Sequence, residues 1–253
     1  MRQMDRRSKI FISLIISLCC NLILICIISF QNLRIRREEQ EPFAQSELSI
    51  IIPAIIKEAQ KYDYYTNSQY NAYVSMFSLY QGKSDVIFAG DSLTARGNFG
   101  EFFEDISLLN RGIGSDISAG LLARIDEIIV HQPSKVFIMI GINDIARGID
   151  KKVTRNNISE IIKKIHFSLP DCQVYIESVL PTQTEYEWEI LQLNKELQDV
   201  ALKSECIYID IYAHFLDENG EIISNKISID GTHLNGEGYK TWVETIKEYV
   251  NSN

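Results

Sequence analysis

The stretch "DVIFAGDSLTARG", residues 85–97, decides the fold. An apolar, β-favouring run from Val86 to Ala89 stops at Gly90 and hands the chain to Asp91 and Ser92. One reading is an ordinary strand end, where Gly90 turns the chain and Ser92 caps the next helix. The other is a nucleophile set at the mouth of a sheet, and the rest of the chain has to choose between them.

Further short apolar runs follow at "SLLN" (107–110), "KVFIMIG" (135–141), "CQVYIESVL" (172–180) and "CIYIDIY" (206–212). They are too uniformly apolar for half-exposed strands and suit parallel strands buried on both faces. Amphipathic helical segments separate them: Phe99 to Asp105, Ile117 to His131, Val153 to Phe167 and Tyr186 to Lys203, with Gly236 to Val250 last. Strand and helix in alternation predict an α/β three-layer sandwich, a parallel sheet flanked by helices and joined by right-handed crossovers. Ligands of such sheets bind beyond the carboxyl ends of the strands, where strand order reverses. The loops after each apolar run are therefore the ones to inspect.

Upstream, residues 10–30, "IFISLIISLCCNLILICIISF", are apolar with only Ser and Asn interruptions, and about 20 such residues suffice to cross a bilayer as a helix. No small-residue cleavage site follows, so the expectation is an uncleaved transmembrane anchor rather than a secretory signal peptide. Arg2, Arg6, Arg7 and Lys9 precede the span, while Arg34, Arg36 and Arg37 follow it and run at once into Glu38, Glu39 and Glu41. The balance of Lys and Arg favours residues 1–9 in the cytoplasm, a charged tether over 31–46 and a domain over 47–253 outside. Within that domain, a helical stretch from about Leu48 to Tyr65, interrupted by Pro53, leads to Tyr70, Tyr73, Val74, Phe77 and Tyr80 or Met76 near helical spacing. That stripe reads as a packing face ahead of a sugar-stacking platform.

With a formal charge of -9 and no basic stripe beyond the membrane flanks, nucleic acid is not an expected partner. Cys19, Cys20 and Cys26 lie inside the apolar span; Cys172 and Cys206 each precede a strand-like run and admit either a disulfide or two reduced buried thiols. His131 ends a helix and is expected to face solvent, while His166 and His214 lack partners at metal-ligand spacing. No metal or other cofactor is called for.

The predicted rim collects a distinct inventory: Ser92 after the first strand, "NRGIGSD" (110–116) after the second, Asn143 in "GIND" (141–144) after the third, and Asp230 and His233 in "DGTH" (230–233) after the fifth. Serine needs a base to take its proton as it attacks, and a neutral imidazole can serve. Asp230, three residues before His233, can hold the ring by its other nitrogen. A tetrahedral intermediate needs donors for its oxyanion, and the Asn143 amide, the Ser92 N–H and an N–H from the "GIGSD" turn are candidates.

These four blocks, in this order over about residues 70–250, resemble the SGNH (GDSL-type) hydrolases, a family of esterases and lipases. The resemblance implies a five-stranded parallel sheet of flavodoxin-like type, with Ser92 as nucleophile, Asp230 and His233 as its triad partners and Asn143 as an oxyanion donor. The family commonly has glycine before the second-block aspartate, where its N–H serves the oxyanion hole. Here that residue is Ser115, with Gly112 and Gly114 shaping the turn. Glycine there suggests a φ that other residues dislike. Asp144 is expected to brace its loop, and Tyr175, Tyr186 and Trp188 to shape a groove or pack a helix.

The expected activity is a membrane-anchored serine esterase acting outside the cell on acyl, chiefly O-acetyl, esters of carbohydrate. A lysophospholipase-like lipid esterase and an acyltransferase acting on envelope glycan are the alternatives of the same fold. Those of another class are a flavodoxin-like module centred on Asp91 and a non-catalytic envelope-binding domain.

Overall fold

In the computed structural model the described residues are 68–183, 185–228 and 230–252. The expected anchor at 10–30, the tether at 31–46 and the helical stretch at 48–65 lie outside them. Among the described residues, no helix is long and apolar enough to cross a membrane.

The chain enters through α1 (Ser68–Phe77), then β1 (Val86–Gly90), the one-turn helices α2 (Ser92–Ala95) and α3 (Phe99–Phe102), and β2 (Leu108–Gly112). There follow α4 (Ser118–Ala123), α5 (Ile125–Ile129), β3 (Lys135–Met139), α6 (Ile142–Ala146), α7 (Lys151–Ser168), β4 (Gln173–Glu177) and α8 (Glu187–Lys203). Short β5 (Ile207–Ile209), two 3-10 turns and α9 (Gly236–Asn251) complete it. All five strands pair in parallel in the order β2-β1-β3-β4-β5, with Gly90 level with Gly112 on one side and Met139 on the other. The chain reverses its direction of travel across the sheet between β1 and β3, so the crevice for a ligand lies over their carboxyl ends.

Alternation of side chains along each strand feeds two cores. Ile87, Ala89, Val136, Ile138, Val174 and Ile176 pack with α4, α5, α7 and α8, whereas Phe88, Phe137, Met139 and Tyr175 pack with Phe99 and the α9 residues Trp242 and Ile246. The central strands β1 and β3 are buried along their whole length, as uniformly apolar runs require. A third cluster sets α1 against the turn after β2, with Tyr70 and Phe77 buried beside Ile113, Ile117 and Ile149. The aromatic stripe therefore packs, although Met76 and Tyr80 remain half exposed.

Three details differ from the sequence reading, and one alternative left open there is decided. The helix expected over 117–131 is broken at Arg124, which ends α4 and begins α5 with φ -111° and ψ 12° while its guanidinium turns inward to Asp116. The helix expected over 99–105 is a single turn. His131 does not face solvent: it is fully buried, its Nδ1 2.7 Å from the Gly82 carbonyl oxygen and its Nε2 3.1 Å from both Arg111 Nη2 and Glu127 Oε1. The chain doubles back there to start β3, which carries the ring inside. Cys172 and Cys206 are free thiols, each pushed up to about 12 by burial. Of the three aromatic residues left open, Tyr175 stacks on Phe137 at 4.4 Å and Tyr186 packs against the core, while Trp188 is 69% exposed.

Glu177, at the carboxyl end of β4, is buried and accepts a hydrogen bond from Trp242 Nε1 at 2.8 Å. Burial pushes its carboxyl up to about 8, against the steadying Trp242 N–H. The folded protein thus holds this proton more tightly than the unfolded chain. The associated stability is complete below the ordinary value of 4.5 and is lost as pH rises toward 8. Thermal unfolding is therefore expected to show a Tm at pH 9 lower than at pH 5 by about 4 °C or more, with the gap narrowed in Glu177→Gln. A Tm that rises over that interval would contradict the assignment.

Candidate active site

At the end of β1 the backbone has no room for a side chain. A Cβ on Gly90 would lie 2.2 Å from the Met139 carbonyl oxygen, and one on Gly112 would lie 2.2 Å from Ala95 N. Two glycines at one register level let α2 settle directly against β1 and β2. Asp91 caps this short helix, its Oδ1 accepting from Leu93 N at 2.9 Å, and Ser92 follows half-buried in the first turn.

His233 and Asp230 arrive on a loop closed by its own backbone and tied to the segment after β4. Ile227 and Leu234 form an antiparallel bridge, Ser228 N donates to the His233 carbonyl at 2.7 Å, and Gln183 N donates to the Gly231 carbonyl at 2.7 Å. Within the loop Asp230 Oδ1 accepts from His233 N, Thr232 N and Ser228 Oγ at 2.8, 3.0 and 3.0 Å. The backbone N–H groups of His233 and Thr232, in that order of effect, hold the Asp230 carboxyl well below the usual carboxylate range.

The structure brings these two segments together. Ser92 Oγ lies 2.8 Å from His233 Nε2, and His233 Nδ1 lies 2.7 Å from Asp230 Oδ2. An ionised carboxylate only accepts, so Nδ1 carries the hydrogen and Nε2 is left to accept from the serine hydroxyl. Arg96, 56% exposed, brings Nη1 to 4.0 Å from Asp230 Oδ2.

The turn after β2 lies alongside. Asp116 N donates to the Ile113 carbonyl at 3.1 Å, closing a four-residue turn whose third residue, Ser115, has φ +62°. A positive φ at that position marks a type II turn, which favours glycine there. For serine the left-handed region costs roughly 1–2 kcal/mol. The suspicion about a demanding φ at Ser115 is met, whereas Gly114 itself has no positive φ. Asn143, in the first turn of α6, donates from Nδ2 to the Asp116 carbonyl at 3.0 Å. Asp144 braces the same turn by accepting from Ser118 N at 2.9 Å and from Thr154 Oγ1 at 3.0 Å.

Sequence reasoning expected Asp144 as a brace, but not that it is one of three buried carboxylates beneath the rim. Asp91, Asp116 and Asp144 are all buried, each next in sequence to one of Ser92, Ser115 and Asn143. Burial pushes Asp91 up to about 7, and the neighbouring Asp116 and Asp144 charges add to the rise. Arg124 answers Asp116 with Nε at 3.0 Å and Nη2 at 2.8 Å from Oδ2, and Nη2 also reaches the Gly90 carbonyl at 3.2 Å. The repeated pairing in "GDS", "GSD" and "IND" was the available signal. Among the described residues, no group of three or more His, Cys, Asp and Glu side chains forms a metal site. A cavity of about 460 Å³ beside α2, lined by Tyr73, Phe77, Ala95, Phe99 and Gly112 among others, includes none of Ser92, Asp230 and His233 in its lining.

Comparison with known proteins gives these features a context. Residues 88–241 match the GDSL-like lipase/acylhydrolase family. A 66-residue segment, 26% of the chain, is 35% identical to an arylesterase of Vibrio mimicus and spans 33% of that protein's length. A GDSL-like lipase of Bacteroides thetaiotaomicron superposes with a TM-score of 0.61 at 23% identity, over 72% of this chain and 96% of that one. An acetylxylan esterase of Geobacillus stearothermophilus superposes with a TM-score of 0.58 at 16% identity, over 68% and 97% respectively. The last two likenesses are of fold.

Gly112→Ala drives a methyl group into the α2 backbone, so either α2 moves, carrying Ser92, or the fold strains. Thermal unfolding is expected to show a loss of about 1–3 kcal/mol, the range for overpacking. An unchanged Tm would mean that the contact is relieved at no cost.

Proposed function

The chain belongs to the GDSL-like lipase/acylhydrolase family, and on that premise we propose that it hydrolyses carboxylic esters with Ser92 as nucleophile, His233 as general base and Asp230 as the group that orients the imidazole. The observation that carries this reading is the unbroken relay from Ser92 Oγ to His233 Nε2 at 2.8 Å and from His233 Nδ1 to Asp230 Oδ2 at 2.7 Å. As Ser92 Oγ bonds to the ester carbonyl carbon, its proton passes to Nε2. The imidazolium is then stabilised by the Asp230 carboxylate, and Nε2 returns the proton to the departing alkoxide. Water repeats the sequence on the acyl-enzyme, releasing the acid. The oxyanion is met by the backbone N–H groups of Ser92 and Ser115 and by the second hydrogen of Asn143 Nδ2, the first being engaged by Asp116 O.

The substrate we assign is a short-chain, chiefly acetyl, ester of carbohydrate, a reading supported by the fold shared with an acetylxylan esterase. Residues 10–30 serve as a single-pass anchor with residues 1–9 in the cytoplasm and the domain outside, where envelope glycan is within reach.

Two experiments test this. A serine-directed fluorophosphonate should label the full chain at Ser92, Ser92→Ala should lower turnover at least about 1,000-fold, and acetyl esters should be cleaved faster than long-chain ones. Retained turnover in Ser92→Ala would refute the mechanism, and a preference for long chains would move the substrate toward lipid. Protease added to intact cells should remove the domain, and a domain left untouched would put it on the other side of the membrane.

A further inference from the structure

The strained residue of the site is held from outside its own turn. The peptide plane that follows Ser115 is fixed at both ends: Asp116 N donates to the Ile113 carbonyl at 3.1 Å, and the Ser115 carbonyl accepts from Arg147 Nη2 at 3.1 Å. Ser115 has two ways to leave φ +62° for the conformations serine prefers. It can flip the preceding Gly114–Ser115 peptide, or it can swing its own carbonyl out of the turn. The first movement turns the Ser115 N–H directly; the second breaks the Asp116 N to Ile113 O bond that closes the turn and so releases the Gly114–Ser115 peptide to reorient. The second route runs through exposed backbone, and there the Arg147 bond opposes it. Arg147 is placed to do so by α6: it is the C-cap of that helix, whose first turn presents Asn143 to Asp116 O and Asp144 to Ser118 N. Residues 143, 144 and 147 thus grip residues 116, 118 and 115 from one short helix.

We propose that Arg147 is a positioning residue for the oxyanion site: it keeps Ser115 in the left-handed conformation that directs its N–H at the developing oxyanion, a task required because the residue is not glycine. This rests on the reading of Ser115 as an oxyanion donor. Its distinctive consequence is coupling, since a glycine at 115 has no preference for leaving that conformation and needs no restraint. An arginine that instead bound substrate would matter equally with either residue at 115.

The test is a double-mutant cycle on the full chain with a short-chain ester, comparing Arg147→Ala, Ser115→Gly and the double variant, with Arg147→Lys as the conservative control. Arg147→Ala is expected to lower kcat about fivefold with KM nearly constant, and Arg147→Lys, which keeps a donor, to recover part of the loss. In the Ser115→Gly background the same Arg147→Ala change should cost less than about twofold. Equal losses in the two backgrounds, a loss confined to KM, or no loss at all would each overturn the proposal. Ser92→Ala is assayed alongside: if it retains full turnover, the failure lies with the esterase mechanism, and if it is inactive while the cycle shows no coupling, only the role of Arg147 falls.

Discussion

The buried pair between Arg124 and Asp116 is the constraint on which the rest of the site depends. Both side chains are essentially inaccessible to water, at 1% and 0% exposure, so neither charge is tolerable without the other. Removing one partner of such a pair typically costs about 3–5 kcal/mol, because the survivor is left charged in a dry interior. Since Arg124 Nη2 also donates to the Gly90 carbonyl, the pair fastens the end of β1, from which Ser92 emerges, to the turn that carries Ser115. Asn143 adds itself by donating to the Asp116 main chain. Three loops are therefore located by reference to one residue, Asp116, through its carboxylate and its main-chain carbonyl.

His233 is located by a different set of contacts. The helix that follows it, α9, is anchored below by Trp242, which donates to Glu177 and meets Phe99 edge-on at 5.2 Å. Above, Tyr239 Oη donates to the Leu93 carbonyl at 2.8 Å, joining α9 directly to α2. The separation of Ser92 from His233 is thus set by a hydrogen bond one residue beyond the serine, and the imidazole needs no long-range contact of its own beyond the serine hydroxyl.

Much of this was legible in the chain. Uniform apolar runs gave five parallel strands, but only the central β1 and β3 are buried along their whole length, while the edge strands β2 and β5 stay largely half-buried. The rim residues were found because parallel topology sends every strand end to one side. The side chains that locate them were not found, and the reason is physical. Arg124 and Asp116 look like solvated charges in sequence, and only the tertiary fold shows that each is buried against the other. His131 sits where helix ends normally meet water, but the strand that follows draws it inside. Nothing local marks Tyr239 either, since its partner is a main-chain carbonyl 146 positions away. What Ser115 signalled, a glycine position occupied by serine, was readable as a departure, while its remedy in Arg147 depends on how α6 lies against the turn.

The loop bearing Asp230 and His233 closes through its own backbone, and these two residues are only three apart. Ser92, by contrast, reaches His233 across 141 positions of sequence. The His233–Asp230 pair is a local structure, free to form early, whereas Ser92, the proposed nucleophile, meets it only when β1 has joined the sheet and α9 has docked on α2. On the proposed mechanism, the contact that would make Ser92 reactive is therefore the one that requires the most of the fold to be in place. On that mechanism, a newly made or partly opened molecule would hold its imidazole and carboxylate together with no serine to activate, and so would not attack the esters around it.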